Sequence, residues 1–214
     1  MSKFYLLDFD GTLVDSMPSY VSCMLRILDE NQIRYPDDIV KIITPLGTTG
    51  TARYFIEQLG LKMSTEQLWA LMREYLCDAY YHTIPLKPNV LQVLKALKSR
   101  GASLNILTAG PHITLDPCAK RLGLWELFDN VWSCDDFHTT KTDSEIYRMT
   151  AQKLGTTVEN VLFLDDNLDA DKAAKAAGMQ VCGVYDDSSA AYAEEMKSVA
   201  DYYVYDMKEL LNLS

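Results

Sequence analysis

Phe4-Tyr5-Leu6-Leu7-Asp8-Phe9-Asp10-Gly11-Thr12-Leu13-Val14-Asp15-Ser16, near the start of a 214-residue chain, is the stretch from which the fold is read. An apolar run meets two acids and a glycine. A run without polar alternation suits a strand of a parallel sheet buried on both faces, whereas a half-exposed strand alternates. Similar short apolar runs, stopped by polar or small residues, recur at 104–107, 131–132, 161–164, 181–184 and 202–205. Helix-period stretches lie between most of them. Val90, Leu91, Leu94 and Leu97 form one stripe, Ile146, Met149 and Leu154 a second, and Leu168 with Ala173, Ala174, Ala176 and Ala177 a third. Strand and helix alternate, which predicts βα units and an α/β fold built on a doubly wound parallel sheet.

One stretch breaks this rhythm. After the first run no strand-like segment appears until residue 103, and helical patterns occupy 16–31, 37–43, 51–59 and 66–81. In the last of these Leu68, Leu71, Met72, Tyr75, Leu76 and Ala79 follow i, i+3, i+4 spacing. The expectation is an all-helical domain at 16–85, inserted after the first strand of a core made of 1–15 and 86–214.

Composition narrows the function classes. The chain is 48% hydrophobic with 10% aromatics, which excludes disordered, collagen-like and disulfide-scaffold classes. Its formal charge of −10 repels nucleic acid and anionic membranes, and no basic patch compensates, so neither is expected as a partner. An anionic substrate meets the same repulsion, so a cation should sit wherever one binds. Cys23, Cys77, Cys118, Cys134 and Cys182 are scattered, with no CxxC pair and no zinc-ligand spacing. Such thiols suit a reducing compartment, and no apolar run has the length of a leader or a membrane span. A cytoplasmic protein, monomeric or weakly homodimeric, is expected.

Ligands of open α/β sheets bind at the carboxyl ends of the strands. Four of these ends carry chemistry: Asp8 and Asp10; Thr108 with Ala109 and Gly110; Lys141, opening a later helix; and Asp165 with Asp166. Four carboxylates crowded together stay ionised only around a cation. Oxygen donors without His or Cys select Mg²⁺ over zinc. Of Asp8 and Asp10, one can act as nucleophile while the other shuttles a proton. Thr108 and Lys141 would supply a donor and a positive charge to a transferring phosphoryl group. An acid after a strand also commonly caps the next helix, a role open to Asp165, Asp169 and Asp171, and Asp143 and Ser144 are read as caps.

These residues resemble the motifs of the haloacid dehalogenase superfamily. The run 8–16 is similar to its DxDGTLxDS motif, and Thr108 to the second motif at the end of an apolar strand. Lys141-Thr142-Asp143-Ser144-Glu145-Ile146-Tyr147 resembles a third motif, KPxPEIY. Phe163-Leu164-Asp165-Asp166 with the alanine cluster, Gly178 and Met179 resembles a fourth with its AAxAAGM helix. The match spans about residues 4–186 in the correct order. The resemblance, nearest to the phosphoglycolate phosphatase and beta-phosphoglucomutase subfamily, implies a modified Rossmann core with a helical cap. It implies Asp8 as the nucleophile that forms an aspartyl-phosphate and Asp10 as general acid and base. Asp8, the Asp10 carbonyl and Asp166 would hold Mg²⁺, with Asp165 assisting. Thr108, Lys141 and backbone N–H groups around Phe9, Ala109 and Gly110 would bind the phosphoryl group.

Departures from the family pattern refine this. Relatives that dehalogenate lack the second acid, which is present here as Asp10. Phosphomutase relatives carry a histidine where this chain has Tyr20. Thr142 replaces a proline, and Ala170 stands where many relatives have a further acid, leaving Asp165 and Asp169 to cover that role. In capped relatives the cap selects the substrate. The candidates here are Tyr20 and a Gly-Thr-rich turn comprising Thr44, Gly47, Thr48, Thr49, Gly50, Thr51 and Arg53, with Arg53 equally able to pair with Glu57. The expected function is a Mg²⁺-dependent phosphatase acting on a small phosphorylated metabolite. A sugar phosphomutase using the same intermediate and a non-enzymatic phosphometabolite-binding protein are the alternatives.

Overall fold

The computed structural model describes residues 4–43 and 46–213. Its strands are β1 (Phe4–Leu7), β2 (Ser103–Thr108), β3 (Asn130–Ser133), β4 (Val161–Asp165), β5 (Gln180–Val184) and β6 (Tyr202–Val204). They form one sheet in the order β3-β2-β1-β4-β5-β6, every neighbouring pair parallel. The helices are α1 (Met17–Glu30), α2 (Ile39–Ile43), α3 (Gly47–Arg53), α4 (Thr65–His82), α5 (Val90–Ser99), α6 (His112–Arg121), α7 (Glu145–Lys153), α8 (Leu168–Ala177) and α9 (Ala193–Val199). The chain divides into two compact units, 1–15 with 84–214, and Ser16–Thr83.

In the first unit the chain builds outward from β1 to β2 and β3, then crosses back to β4 and builds the other way. The order therefore reverses between β1 and β4, the point at which α/β sheets of this kind place their ligands. All four residues of β1 pair on both sides, Leu7 lying between Ile106 and Leu164. Double pairing explains the unbroken apolar runs, since both faces of β1 and β4 are covered. Leu6, Phe163 and Val181 pack with Ile146, Tyr147 and Ala151 of α7 and Ala170, Ala173, Ala174 and Ala177 of α8. The small side chains of α8 let its axis approach β4 and β5 closely. On α5 the buried stripe is Val90, Val93, Leu94 and Leu97, so Val93 rather than Leu91 completes it. Helix α6 was not foreseen, because Pro117 lies inside it and Pro normally interrupts a helical pattern.

The segments that leave and re-enter this unit run side by side. Val14 pairs antiparallel with Leu86, Asp15 N–H donates to Pro85 O at 3.0 Å, and Lys87 N–H donates to Leu13 O at 3.0 Å.

Among its described residues the second unit holds helices and no strand. Cys23, Ile27 and Leu28 of α1, Ile39 and Ile43 of α2, and Leu68 and Met72 of α4 join Ala52, Phe55 and Leu61 in one apolar cluster. Ser64 starts α4 with a capping box shared with Gln67. The expected helix at 51–59 begins earlier, at Gly47, and its second half is a π-helical turn, Tyr54–Gln58. No helix among the described residues is long and apolar enough to cross a membrane.

Candidate active site

Asp8 lies one residue past β1 but still follows the ladder, its N–H donating to Leu164 O at 2.9 Å. That register sets it beside the Asp165-Asp166 pair ending β4. The chain then turns at Gly11, whose φ is +77°. A Cβ on Gly11 would come within 2.7 Å of both Cγ and Oδ1 of Asp166 and closer still to Oδ2. Glycine is thus required twice over, by the backbone conformation and by the close approach of Asp166. The next residue, Thr12, is fully buried and donates its hydroxyl to Asp166 Oδ1 at 3.0 Å.

Asp8, Asp165 and Asp166 are all buried, and each offers a carboxylate oxygen within 4.8 Å of the others. Lys141 Nζ sits between two of them, 2.7 Å from Asp8 Oδ1 and 2.7 Å from Asp165 Oδ2. Both contacts are ion pairs, and that with Asp165 is also a hydrogen bond. Lys141 is itself held: the buried Tyr147 hydroxyl is shared between Lys141 O at 2.8 Å and Ala170 O at 3.0 Å.

One ammonium does not balance three buried carboxylates. Burial, followed by repulsion from Asp165 and Asp8, pushes the Asp166 carboxyl well above the usual range. Burial likewise raises Asp165, against the opposing pull of Lys141. For Lys141, burial acts against the charge, but Asp165 and Asp8 outweigh it and hold the ammonium protonated. Crowded acids of this kind are relieved by a cation, and a donor set of carboxylate oxygens without His or Cys fits a hard divalent ion.

Asp165 does not cap α8. Asn167 does, accepting from the N–H groups of Asp169 and Ala170. Both Asp165 oxygens have protein partners, Asn167 N–H on Oδ1 at 2.9 Å and Lys141 on Oδ2. Its geometry is that of a group orienting Lys141, while Asp166 Oδ2 faces Gly11. Asp169 is exposed and outside the carboxylate group.

Asp10 also stands outside that group. Its Oδ2 and Thr108 Oγ1 lie 3.4 and 3.5 Å from where a Cβ on Gly110 would be, so both face the space above that glycine. Thr108, buried at the end of β2, accepts the Gly110 N–H at 3.0 Å, which leaves its own hydroxyl proton available. Gly110 N–H is therefore engaged, and the exposed Ala109 is the other residue of that turn. Asp143 caps α7 as expected, accepting Glu145 N–H at 2.9 Å, whereas the Ser144 side chain makes no capping bond.

In the helical unit Thr48, Thr49 and Arg53 lie on α3, and Thr44 lies outside the described residues. Thr49 and Arg53 are exposed, with no Arg53–Glu57 ion pair among the described residues. Thr51 is buried and donates to Ile43 O at 3.3 Å, a structural role. Tyr20 OH meets Tyr80 OH at 3.3 Å.

Thr12, Tyr147 and Lys87 join the site through contacts that no local pattern in the sequence announces. Thr12 and Tyr147 do lie within the motif runs 8–16 and 141–147, which is the signal the sequence offers for them. Lys87 carried none.

Comparison with known proteins agrees with this geometry. Residues 5–184 match the family model for haloacid dehalogenase-like hydrolases. A phosphorylated carbohydrates phosphatase of Thermotoga maritima is 26% identical over 175 residues, covering 82% of this chain and 81% of the relative. An (S)-2-haloacid dehalogenase of Pseudomonas sp. is 29% identical over 166 residues, covering 78% and 68%. Among solved structures, a Thermotoga maritima protein with the provisional name beta-phosphoglucomutase superposes with a TM-score of 0.83 at 25% identity, covering 98% and 97%. The chain belongs to the haloacid dehalogenase-like hydrolase family, and it is a hydrolytic enzyme.

Proposed function

We propose that the protein is a Mg²⁺-dependent phosphatase that hydrolyses a small phosphorylated metabolite through an aspartyl-phosphate on Asp8. The observation that carries this reading is the group formed by Asp8, Asp165 and Asp166 with Lys141 at the sheet's reversal point. Asp8, Asp166 and the Asp10 carbonyl would hold the ion, with Asp165 alongside. Bound there, Mg²⁺ supplies positive charge that offsets the crowded acids and the phosphate oxygens.

The side chains then divide the work. An Asp8 oxygen attacks phosphorus in line, forming a P–O bond as the ester P–O bond breaks. Asp10, beside Thr108, gives its proton to the departing alkoxide. Thr108 donates its free hydroxyl proton to a phosphoryl oxygen, and Lys141 faces the charge that spreads over these oxygens. Asp10, now a carboxylate, takes a proton from water, and the hydroxide attacks phosphorus. The bond to Asp8 breaks, releasing inorganic phosphate and restoring both acids.

Asp10 separates this chemistry from that of the dehalogenase relative, since a departing halide needs no proton. Substrate selection is assigned to the helical unit, with the exposed Thr49 and Arg53, and Thr48 and Tyr20, as its candidate residues. A cytoplasmic location fits five free cysteines, four of them buried.

Asp8→Asn should abolish phosphate release from an aryl phosphate in the presence of Mg²⁺ while circular dichroism stays unchanged. Substantial remaining turnover would remove Asp8 from the nucleophile role. The likeness to a protein named as a phosphomutase motivates one rival, which predicts interconversion of sugar phosphate isomers with little phosphate released.

A further inference from the structure

We propose that Lys87 is a positioning residue for this reaction: its ammonium locks the Gly11 turn that aims Asp8, Asp10 and Thr12. The proposal rests on the phosphatase reading for its kinetic consequence, but its structural basis is independent.

Lys87 lies on the segment re-entering the first unit. Its Nζ touches three acceptors, Gly11 O at 2.6 Å, Tyr185 O at 2.8 Å and Asp186 Oδ2 at 2.9 Å. An ammonium has three protons, so every one is used. The pair is mostly shielded, with side-chain exposures of 17% for Lys87 and 7% for Asp186. Asp186 is in turn fixed by Ser188, whose N–H and hydroxyl donate to Oδ1 at 2.9 and 2.6 Å. The anchor is therefore rigid on its far side.

What it anchors is the most permissive point of the catalytic loop. Gly11 has no Cβ to restrict its backbone, and it holds a left-handed φ of +77°. Within the loop the turn is closed by Gly11 N–H to Val14 O, and by Leu13 and Val14 N–H to Phe9 O. None of these fixes the Gly11 carbonyl. Lys87 Nζ does so from one side while its own N–H holds Leu13 O. The peptide joining Gly11 to Thr12 is thereby pinned at its carbonyl by Lys87 and at its next side chain by Asp166. Asp10 precedes this peptide directly, and misplacing a reacting group by an ångström costs about 10²-fold in rate.

The test compares Lys87→Met, Lys87→Arg, Asp186→Asn and the Lys87→Met/Asp186→Asn double variant in the full chain. Lys87→Met should lower kcat per folded molecule by about 10- to 100-fold with KM little changed, and Lys87→Arg should recover part of it. The double variant removes the unpaired Asp186 charge, so it should regain thermal stability without regaining kcat. Hydrogen exchange of the peptide spanning 8–16 should quicken in Lys87→Met while that spanning β4 does not. If Lys87→Met does not fold, Lys87→Arg and Asp186→Asn carry the test, since their exchange at 8–16 reports the same turn. Full recovery of kcat in the double variant would overturn the proposal, reducing Lys87 to a partner for Asp186. Unchanged exchange at 8–16 together with wild-type kcat would also overturn it. A wild type inert toward all phosphate esters with Mg²⁺ instead contradicts the phosphatase reading, and exchange still decides whether Lys87 holds the turn.

Discussion

Gly11 shows how closely the site is built at the scale of single residues. Asp166 occupies the space a Cβ would fill, and φ is positive, so Gly11→Ala should both strain the turn and displace a carboxylate. A drop in stability of about 1–3 kcal/mol in urea unfolding is expected, with loss of Mg²⁺-dependent activity. A fully active, equally stable variant would show that the turn relaxes freely. Asp10 allows a sharper test, because the first task proposed for it depends on the leaving group. Asp10→Asn should slow alkyl phosphates by about 10²–10⁴-fold. With an aryl phosphate it should instead release a burst of phenol near one equivalent per enzyme, then turn over slowly. Equal impairment of both substrates without a burst would count against proton donation by Asp10. The meeting of Asp8 with Asp165 and Asp166 was legible in the sequence because these acids end two apolar runs. Thr12 and Lys87 were not, since each acts through a partner distant in the chain: 154 positions separate Thr12 from Asp166, and 76 separate Lys87 from Gly11.

Among the elements, β1 and β4 were readable because burial on both faces demands unbroken apolar runs. Helix α6 was not, because Pro117 masks its pattern, and the π-helical turn after α3 has no periodic signature. Helix α8 carries two features that composition alone does not disclose. Its cap is Asn167, which leaves Asp165 free to hold Lys141, and Asn167→Ala should cost about 1 kcal/mol in thermal unfolding. Its second feature is Asp171, fully buried with no hydrogen-bond partner on either oxygen. Burial, with repulsion from Asp165 and Asp166, pushes this carboxyl up to about 9 from 3.8. The folded protein then keeps a proton that the unfolded chain loses near 3.8, so stability falls as pH rises between those values. The slope from this group is at most about 1.4 kcal/mol per pH unit. Asp171→Asn should flatten the decline between pH 6 and pH 8, as read from urea midpoints. An unchanged slope would mean that Asp171 ionises normally.

The whole molecule solves a problem set by its own charge. On the proposed reading an anionic substrate approaches a chain of charge −10 at the point where three of its buried carboxylates gather. A divalent cation beside Lys141 would reconcile the two. Adding Mg²⁺ to metal-stripped protein should therefore raise the melting temperature, and Asp166→Asn should abolish that rise. An equal rise in the variant would place the ion elsewhere. The central claim is that phosphorus is transferred to Asp8 itself. Borohydride reduces an acyl phosphate to an alcohol, so quenching the enzyme during turnover and sequencing its peptides by mass spectrometry reads the site of transfer directly. The account predicts homoserine at position 8, formed only when substrate and Mg²⁺ are both present. Phosphate release at full rate with aspartate intact at position 8, or reduction at another acid, would contradict it.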